Sequence, residues 1–399
     1  MNDGRPAGDG AVDLAARLLG GTVVSASDES FGEKEHLLNP APVSFEPGHY
    51  GPRGEIVDGW ETRRRRRPGN DWAVVRLGLS GRISTVDVDT TSFTGNFPPE
   101  CVIEACGLEG YPGPAALTDP TVQWEEIIHR SPLRGNVHNV FEVTDPRCFT
   151  HVRLSVFPDG GVARLRVFGE AITDPRQVDG MTIDLAGQQH GGQIVASSDA
   201  FYGSASTINR PDEARTMGEG WESRRRRDDG HDFALIRLGF VGAIRQAIVD
   251  TRQFRYNASA AVALWGHAAG CCPAADDAGW VPLLPRTALQ PDTRHLFDVL
   301  NSEPIEWVRL DAFPDGGLAR LRLIGCIDAA ARSSAGYRWF NALPARHALA
   351  CLRSGGAPSD AAAAVVQARP LTEDWFQSGS HELTTPARPV LSRILHGTP

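Results

Sequence analysis

The sequence lacks the features that mark membrane, secreted and nucleic-acid-binding proteins. It contains no run of about 18 uncharged apolar residues, which a transmembrane helix would need, and its polar start does not look like a signal peptide. Lysine and arginine total 40 against 49 aspartate and glutamate, giving a net charge of -9. Nucleic acid and anionic membranes favour basic surfaces. We therefore expect a cytoplasmic protein that binds neither nucleic acid nor membrane.

Recognisable metal and cofactor motifs are also missing. The 7 cysteines fit no disulfide framework, and the 12 histidines form no His-x-His or His-Glu-x-x-His pair. There is no Walker loop, no Rossmann glycine pattern and no Gly-x-Ser-x-Gly elbow. These absences argue against nucleotide cofactors and acyl-enzyme chemistry. No cofactor and no metal are predicted, and dependence on a divalent metal stays open.

The chain does contain an internal duplication. Gly-Trp-Glu-Thr and five arginines at 59–67 return as Gly-Trp-Glu-Ser and four arginines at 220–227. Further matches in the same order are 71–78 with 232–239 and 157–161 with 313–317. Self-similarity of this kind indicates two copies of one fold.

The duplication predicts the domain organisation. We expect an N-terminal segment at 1–19, repeat 1 at 20–172, a linker at 173–189, repeat 2 at 190–328 and a short, mainly helical C-terminal tail at 329–399. Within each repeat, runs rich in Val, Ile and Leu alternate with polar residues between turn residues, which is typical of antiparallel strands. The predicted fold class is all-β, with two tandem jelly-roll β-sandwich modules.

One hairpin per repeat can be predicted from the Phe-Pro-Asp-Gly-Gly turn and the alternating residues on both sides. This register sets Arg153 opposite Arg166 in repeat 1 and Arg309 opposite Arg322 in repeat 2. Like charges directly opposite each other destabilise a sheet. The pairs therefore indicate either an anionic ligand between the arginines or neutralisation by carboxylates of the module.

The arginine runs at 63–67 and 224–227 resemble nucleic-acid patches in composition. Each run occupies the same place in its repeat, directly after Gly-Trp-Glu. We therefore interpret the runs as structural parts of the module, with ligand binding and nucleic-acid contact as the alternatives.

The duplicated motifs resemble those of the allantoicase (allantoate amidinohydrolase) family over about residues 22–328. The segments that carry this resemblance are Ala26-Ser27-Asp28 with Phe31-Gly32, Asp58 to Arg64, Thr94 to Pro98, Ile103 to Cys106 and Phe157 to Arg166. The resemblance implies jelly-roll modules related to galactose-binding-like domains. It also implies hydrolysis of a small molecule, allantoate, to ureidoglycolate and urea in purine degradation.

Residue chemistry and this resemblance together suggest the site. The candidate catalytic residues are Glu104, Asp28 and His138, and the arginines Arg164 and Arg166 are candidates for binding the substrate carboxylate. Further candidate substrate-binding residues are Trp60, Glu61, Arg63 and Asn96. A carboxylic acid that protonates a leaving group near neutral pH needs a raised pKa. Each of these side chains also has a structural interpretation as a turn, cap or scaffold residue.

Repeat 2 departs from the pattern of repeat 1. Where repeat 1 has Glu104 and Cys106, the aligned positions hold Trp265 and His267. Two equivalent catalytic sites are therefore not expected, and repeat 1 or the junction between the copies is favoured. The alternative function is a non-catalytic jelly-roll protein that binds a small anionic or ureide ligand. A homo-oligomer is expected, because modules with exposed edges often assemble symmetrically.

The tail has a resemblance of its own. Phe340-Asn341-Ala342-Leu343-Pro344 and Ala368-Arg369-Pro370 look like the opening of the ureidoimidazoline decarboxylase family. The sequence after Leu343 is too short for that all-helical enzyme. We interpret the tail as a truncated remnant or as a docking helix pair.

Overall fold

The computed structural model describes residues 11–268, 270–274, 276–299, 303–378 and 386–397. The described chain divides into two compact units. Unit 1 contains Ala11–Thr173 and Arg338–Ser392, and unit 2 contains Asp174–Tyr337 and the residues from Arg393 onward. Each unit contains one of the two predicted repeats.

The long strand β6 organises unit 1. The elements of this unit are β1 Val12–Asp13, β2 Thr22–Ala26, β3 Tyr50–Gly51, β4 Gly54–Glu55, β5 Trp60–Glu61, β6 Asp71–Asp89, β7 Glu100–Cys106, α1 Pro114–Leu117, β8 Glu125–Pro132, β9 His138–Glu142, β10 Cys148–Phe157, β11 Gly161–Val162 and β12 Arg164–Ala171. The first half of β6 pairs with β2 and β10, and its second half pairs with β12 and β9. Strands β7 and β8 extend the first layer, and β1 extends the second. The result is an antiparallel sandwich whose two layers share one strand.

The core of unit 1 lies between these layers. Alternation along the strands sends Val152, Leu154 and Val156 of β10, and Leu165 and Val167 of β12, into it, and all five are fully buried. Full burial of such side chains contributes about 1.5–3 kcal/mol each. The opposite faces of the same strands are left for polar side chains.

Unit 2 repeats this arrangement. Its strands are β13 Thr182–Asp184, β14 Gln193–Ser197, β15 Trp221–Glu222, β16 Asp232–Asp250, β17 Ala261–His267, β18 Val281–Ala288, β19 Arg294–Asp298, β20 Ile305–Phe313, β21 Gly317–Leu318 and β22 Arg320–Ile327. Strand β16 pairs with β14 and β20, then with β22 and β19, as β6 does in unit 1. The predicted all-β class, two tandem jelly-roll sandwiches, is confirmed.

The folded units begin earlier in the chain than the sequence prediction placed them. Strand β1 pairs with β12, although residues 1–19 were expected to form a separate segment. Strand β13 pairs with β22, although 173–189 was expected to be a linker. Strands this short carry too little alternation to be recognised from sequence.

The hairpin predicted for repeat 1 is wrong. Strand β10 pairs with β6 and β7, whereas β12 pairs with β6 and β1, so β6 separates them. The intervening β11 pairs with β5 instead of closing a tight turn. Arg153 therefore faces Glu104, and Arg166 faces Asp87. Alternation identifies the buried face of a strand, but it does not identify the neighbouring strand.

The equivalent hairpin in repeat 2 is wrong for the same reason. Strand β16 separates β20 from β22. Arg309 consequently lies opposite Trp265, and Arg322 lies opposite Ile248. The supposed pairs of facing arginines do not exist in either repeat.

The tail is mainly helical, as predicted. Its helices are α2 Ala329–Ala342, α3 Ala345–Ser354, α4 Ser359–Gln367, α5 Glu373–Ser378 and α6 Ala387–His396. It is thus larger than a helix pair, and its likeness to the opening of a decarboxylase stays a prediction. Over the described ranges of the chain, no helix is long and apolar enough to cross a membrane.

Candidate functional site

Five of the predicted site residues meet in unit 1 at a group that we call the loop cluster: Asp28, Trp60, Glu61, Arg63 and Asn96. Asn96 donates a hydrogen bond to Glu61 Oε1 at 2.7 Å. The buried Trp60 indole donates to the backbone oxygen of Asp28 at 2.8 Å, and the Arg63 backbone N–H donates to Asp28 Oδ1 at 2.9 Å. The structure therefore places these five residues side by side.

Asp28 is held as a carboxylate within the loop cluster. It accepts hydrogen bonds from the backbone N–H of Ser30 at 3.0 Å and the Ser30 hydroxyl at 2.9 Å, besides the bond from Arg63. Burial alone would raise the pKa of Asp28, but these donors outweigh burial and hold the pKa below the ordinary 3.8. A carboxyl with a lowered pKa carries no proton near neutral pH, so this position does not suit a general acid.

The pKa of Glu61 is shifted in the direction opposite to that of Asp28. Burial raises the pKa of Glu61 above 4.5, although the hydrogen bond from Asn96 opposes this shift. Its backbone is fixed on both sides by bridges to Gly32 and Gly161. Gly161 must be glycine, because an added Cβ would lie 2.0 Å from the ring of Phe93. Glu61 is therefore a rigidly placed carboxyl whose pKa is shifted towards neutral pH.

Unit 2 contains the same loop cluster contacts. Asn257 donates to Glu222 at 2.6 Å, the Trp221 indole donates to the backbone of Asp199 at 2.8 Å, and the Arg224 N–H donates to Asp199 at 2.8 Å. Contacts that both repeats share are expected of a scaffold. The arginine runs take part in it, since each sends a backbone N–H to the aspartate of this cluster.

Three further predicted residues, His138, Arg164 and Arg166, lie on the second layer beside Asp87 and Asp89, and we call these five residues the sheet cluster. Register sets Arg164 opposite Asp89 and Arg166 opposite Asp87, and His138 lies opposite Asp89 on the other side. His138 Nδ1 is 2.7 Å from Asp87 Oδ2, and its Nε2 is 4.0 Å from Asp89 Oδ2. The two aspartates of β6 thus lie between the histidine of β9 and the two arginines of β12.

The guanidinium of Arg164 already donates to other groups of the protein. Its guanidinium donates to backbone oxygens of Ala41 and Asp58 and to the Asp58 carboxylate at 2.6 Å, and only 3% of its side chain is exposed. Burial alone would raise the pKa of Asp58, but the hydrogen bond from Arg164 lowers it to about 2. Arg164 therefore anchors the segment before β5. Arg166 is less enclosed, with 19% of its side chain exposed, but it also binds the protein: it donates to the backbone oxygen of Asn39, and its Nε lies 3.8 Å from Asp13 Oδ2.

His138 and Asp87 form an acid–base pair at the edge of the sheet cluster. About half of the His138 side chain is exposed, 51%, against 6% for Asp87. Burial raises the pKa of Asp87, and the hydrogen bond with His138 opposes this shift. Asp87 Oδ1 is buried and has no hydrogen-bond partner within the described part of the chain. A carboxylate that orients a solvent-accessible imidazole is an arrangement suited to proton transfer near neutral pH.

Glu104 lies apart from both clusters, in an open groove on the first layer. Arg153 binds it through two parallel hydrogen bonds of 2.7 and 2.6 Å and also lies over the Trp124 ring, 4.7 Å from its centroid. The groove has a volume of about 370 Å³ and is further lined by Asn70, Trp72, Val102, Glu126, Ser155 and Phe157. Both oxygens of the Glu104 carboxylate are thus engaged by the guanidinium of Arg153. Glu104 is therefore better placed to hold Arg153 than to donate a proton.

In unit 2, aromatic side chains occupy the corresponding face. The guanidinium of Arg309 lies 5.4 Å from the ring centroid of Trp265 and 5.6 Å from that of Trp280. Trp307 completes this group. Where repeat 1 has Glu104 in a polar groove, repeat 2 therefore has Trp265 in an aromatic cluster around Arg309.

Sequence reasoning missed Asp87. The alternation Val86-Asp87-Val88-Asp89 puts both aspartates on one face, a signal that the sequence carries. Their neighbours β9 and β12 could not be identified without the strand order. A further group of metal-binding side chains, which joins the tail to unit 1, was also missed and is described below.

The fold and the two clusters define a class of protein, a tandem jelly-roll protein with an acid–base pair in one of its two repeats. The Allantoicase repeat family matches residues 12–172 and 183–328. The first match includes β1, and the second begins within β13. A probable allantoicase from Nocardia farcinica is 49% identical over 315 residues, covering 78% of this chain and 93% of the relative. One from Streptomyces coelicolor is 40% identical over 336 residues, covering 81% and 88%.

A solved structure agrees with these relatives. The crystal structure of allantoicase from Saccharomyces cerevisiae matches with a TM-score of 0.65 and 32% identity, covering 79% of this chain and 93% of that one. The chain therefore belongs to the allantoicase family, and the predicted resemblance is confirmed.

Proposed function

We propose that the protein hydrolyses allantoate to ureidoglycolate and urea in purine degradation, and that the reaction takes place at the sheet cluster of repeat 1. Two observations support the reaction: the chain belongs to a hydrolase family, and its match covers 93% of the length of the Nocardia relative. The observation that carries the choice of site is the 2.7 Å hydrogen bond between His138 and the buried Asp87.

The substrate dictates what the site must supply. Allantoate carries a carboxylate and two ureido groups on one carbon. When the bond to one ureido nitrogen breaks, that nitrogen must take a proton, while the other ureido nitrogen pushes its electron pair towards the carbon. Urea leaves and an N-acyliminium ion remains, in which the second ureido nitrogen keeps its hydrogen. Water then adds to the iminium carbon and loses a proton, which gives ureidoglycolate.

His138 can serve both proton transfers. In the imidazolium form of His138, Nδ1–H donates to Asp87 Oδ2, and the proton on Nε2 is the one given to the departing nitrogen. The neutral imidazole then takes a proton from the attacking water and returns to its starting state. Asp87 acts as a positioning residue, since it fixes the ring and the tautomer. General acid–base catalysis of this kind contributes about 10²–10⁴-fold to the rate.

Arg166 is the group that we assign to the substrate carboxylate. It lies opposite Asp87 on β12 and donates to the backbone oxygen of Asn39, and the further N–H groups of its planar guanidinium can donate to a carboxylate. Arg164 is assigned to the scaffold, because its donors already bind the segment that contains Asp58. The loop cluster is the second candidate site within repeat 1, with Glu61 as its acid–base group.

The test is urea release from allantoate by the purified protein, with and without a chelator. Urea and ureidoglycolate appearing in equal amounts would support the proposal, and chelator sensitivity would reveal a metal requirement. If no urea forms, even with added Mn²⁺, while calorimetry detects allantoate binding, the non-catalytic alternative is correct. A cytoplasmic location and a homo-oligomeric state stay predictions.

A further inference from the structure

Three side chains with metal-binding atoms meet within unit 1, outside the clusters described above. Glu109 follows β7, and His347 and Cys351 lie one turn apart on α3 of the tail. His347 Nε2 is 3.3 Å from Glu109 Oε2, and Cys351 Sγ is 2.8 Å from the same oxygen. All three potential ligand atoms lie within 4.8 Å of one another. We call this group the tail cluster.

The tail cluster is enclosed by close packing of α3 against the chain after β7. His347 is 4% exposed and Cys351 is 1% exposed. A Cβ added to Gly107 would lie 2.9 Å from both His347 Nδ1 and the ring of Pro344, so the backbone can approach α3 only as glycine. His347 Nδ1 is buried and has no hydrogen-bond partner among the residues that the structure describes. The ring is therefore packed into place with its Nε2 directed at Glu109.

A thiolate, an imidazole and a carboxylate are the donor types that zinc prefers. Zinc bonds of about 2.0–2.1 Å to nitrogen and 2.0–2.2 Å to oxygen put tetrahedral N and O ligands about 3.3 Å apart, and His347 Nε2 and Glu109 Oε2 already have this separation. Cys351 Sγ would have to move outward from Glu109, to about 3.6 Å, to accommodate the longer zinc–sulfur bond. The fourth position would be taken by water.

We propose that Glu109, His347 and Cys351 bind a Zn²⁺ ion that fastens helix α3 to repeat 1. The proposal is independent of the reaction assigned to the sheet cluster, because two of the three ligands lie in the tail beyond the family match, which ends at residue 328. The competing interpretation is a metal-free hydrogen-bonded contact, in which the carboxylate accepts from the thiol and the imidazole.

Metal titration distinguishes the two interpretations. The exposed neighbours Cys271 and Cys272 could bind metal by themselves, so the experiment uses a C271S/C272S background. After chelator treatment and dialysis, the protein is titrated with Co²⁺ and then with Zn²⁺. We expect one equivalent of Co²⁺, a thiolate-to-cobalt charge-transfer band, and displacement of Co²⁺ by Zn²⁺.

Variants assign the ligands. Cys351→Ser should abolish the charge-transfer band, whereas Cys148→Ser, which alters another buried cysteine, should keep it. His347→Gln should weaken Zn²⁺ binding by more than about 100-fold, since loss of a group that only hydrogen-bonds to a zinc ligand already costs about 10–100-fold. A band that persists in Cys351→Ser would overturn the proposal.

A measurement on the chain with all three ligands intact guards against variants that fail to fold. X-ray absorption of the Zn²⁺-loaded C271S/C272S protein should show one sulfur at about 2.3 Å and the remaining nitrogen and oxygen neighbours at about 2.0–2.2 Å. Failure to bind one equivalent of metal, or a zinc environment without sulfur, would establish the metal-free contact instead. Neither result depends on urea release.

Discussion

Repeats 1 and 2 fasten their loops to their sheets in the same way. Arg164 donates to the backbone oxygen of Asp58 at 3.0 Å, and its equivalent Arg320 donates to that of Glu219, at the same position before the tryptophan, at 2.7 Å. The carboxylate that pairs with the arginine is Asp58 itself in repeat 1 and Asp212 in repeat 2. The loop cluster contacts are likewise present in both. Residues that keep the same partners in both copies are explained by a structural need common to both.

The two repeats differ where repeat 1 has an acid–base pair. Position 138, opposite Asp89, is occupied in repeat 2 by Arg294, opposite Asp250. Ile248 occupies in repeat 2 the position that Asp87 has in repeat 1, because Asp87 faces Arg166 and Ile248 faces the equivalent Arg322. The contacts that both repeats share hold the module together, whereas the acid–base pair of His138 and Asp87 is present only in repeat 1.

The largest effect is expected for Asp87→Asn. Without the carboxylate, the His138 ring loses its orientation, so kcat should fall about 100-fold or more while KM changes little. Asp87→Glu should restore part of the activity. The thermal unfolding midpoint serves as the control, because a purely structural role would lower stability and leave kcat of the folded fraction unchanged.

A smaller effect is expected for Arg166→Lys. Lysine keeps the charge but loses the two-pronged donor, so kcat/KM should fall about 10–100-fold, mainly through KM. The matched control is Arg322→Lys at the equivalent position of repeat 2, which should leave KM unchanged. Equal effects of the two substitutions would contradict the assignment of the carboxylate to repeat 1.

The ion pair between Arg164 and Asp58 should make a contribution to the free energy of unfolding that is lost at acidic pH. Because the pKa of Asp58 is held at about 2, below the ordinary 3.8, this ion pair stabilises the fold above about pH 4 and loses that contribution as the pH falls towards 2. Asp58→Asn should lower the free energy of unfolding at pH 5, and the deficit relative to wild type should shrink by about 2 kcal/mol on approaching pH 2. Urea denaturation at a series of pH values measures this. A deficit that stays constant with pH would refute the ion-pair explanation.

The smallest effect on turnover is expected for Glu104→Gln. The substitution weakens the bidentate pair with the partly exposed Arg153, which should cost about 1 kcal/mol of stability, and turnover should stay within about tenfold. Steady-state urea release and urea denaturation measure both quantities. A folded Glu104→Gln protein without activity would move catalysis from the sheet cluster to the groove.

Much of the fold could be predicted from the sequence because the same strand and turn patterns occur twice in the chain, once in each repeat. The alternation of Val156, Leu154 and Val152 correctly marked a core-facing strand. The partner of that strand could not be predicted, since β6 lies between two segments that are close in sequence. Strand order depends on long-range contacts that a period-two pattern does not contain.

The candidate sites show the same limit. Five residues of the loop cluster could be nominated from local motifs, and the structure brings them together. His138 was nominated, but its partner Asp87 was missed because 51 residues separate them. Glu109 and His347 are 238 residues apart, so no motif spacing could reveal the tail cluster.

The most direct test measures urea and ureidoglycolate released from allantoate by the wild-type protein, His138→Asn and Arg294→Asn. Positions 138 and 294 are equivalent in the two repeats, and only the first holds an imidazole. We expect equal amounts of both products from the wild type, a loss of about 100-fold or more in His138→Asn, and near wild-type turnover in Arg294→Asn. Turnover by His138→Asn at the wild-type rate would contradict the assignment of catalysis to the sheet cluster.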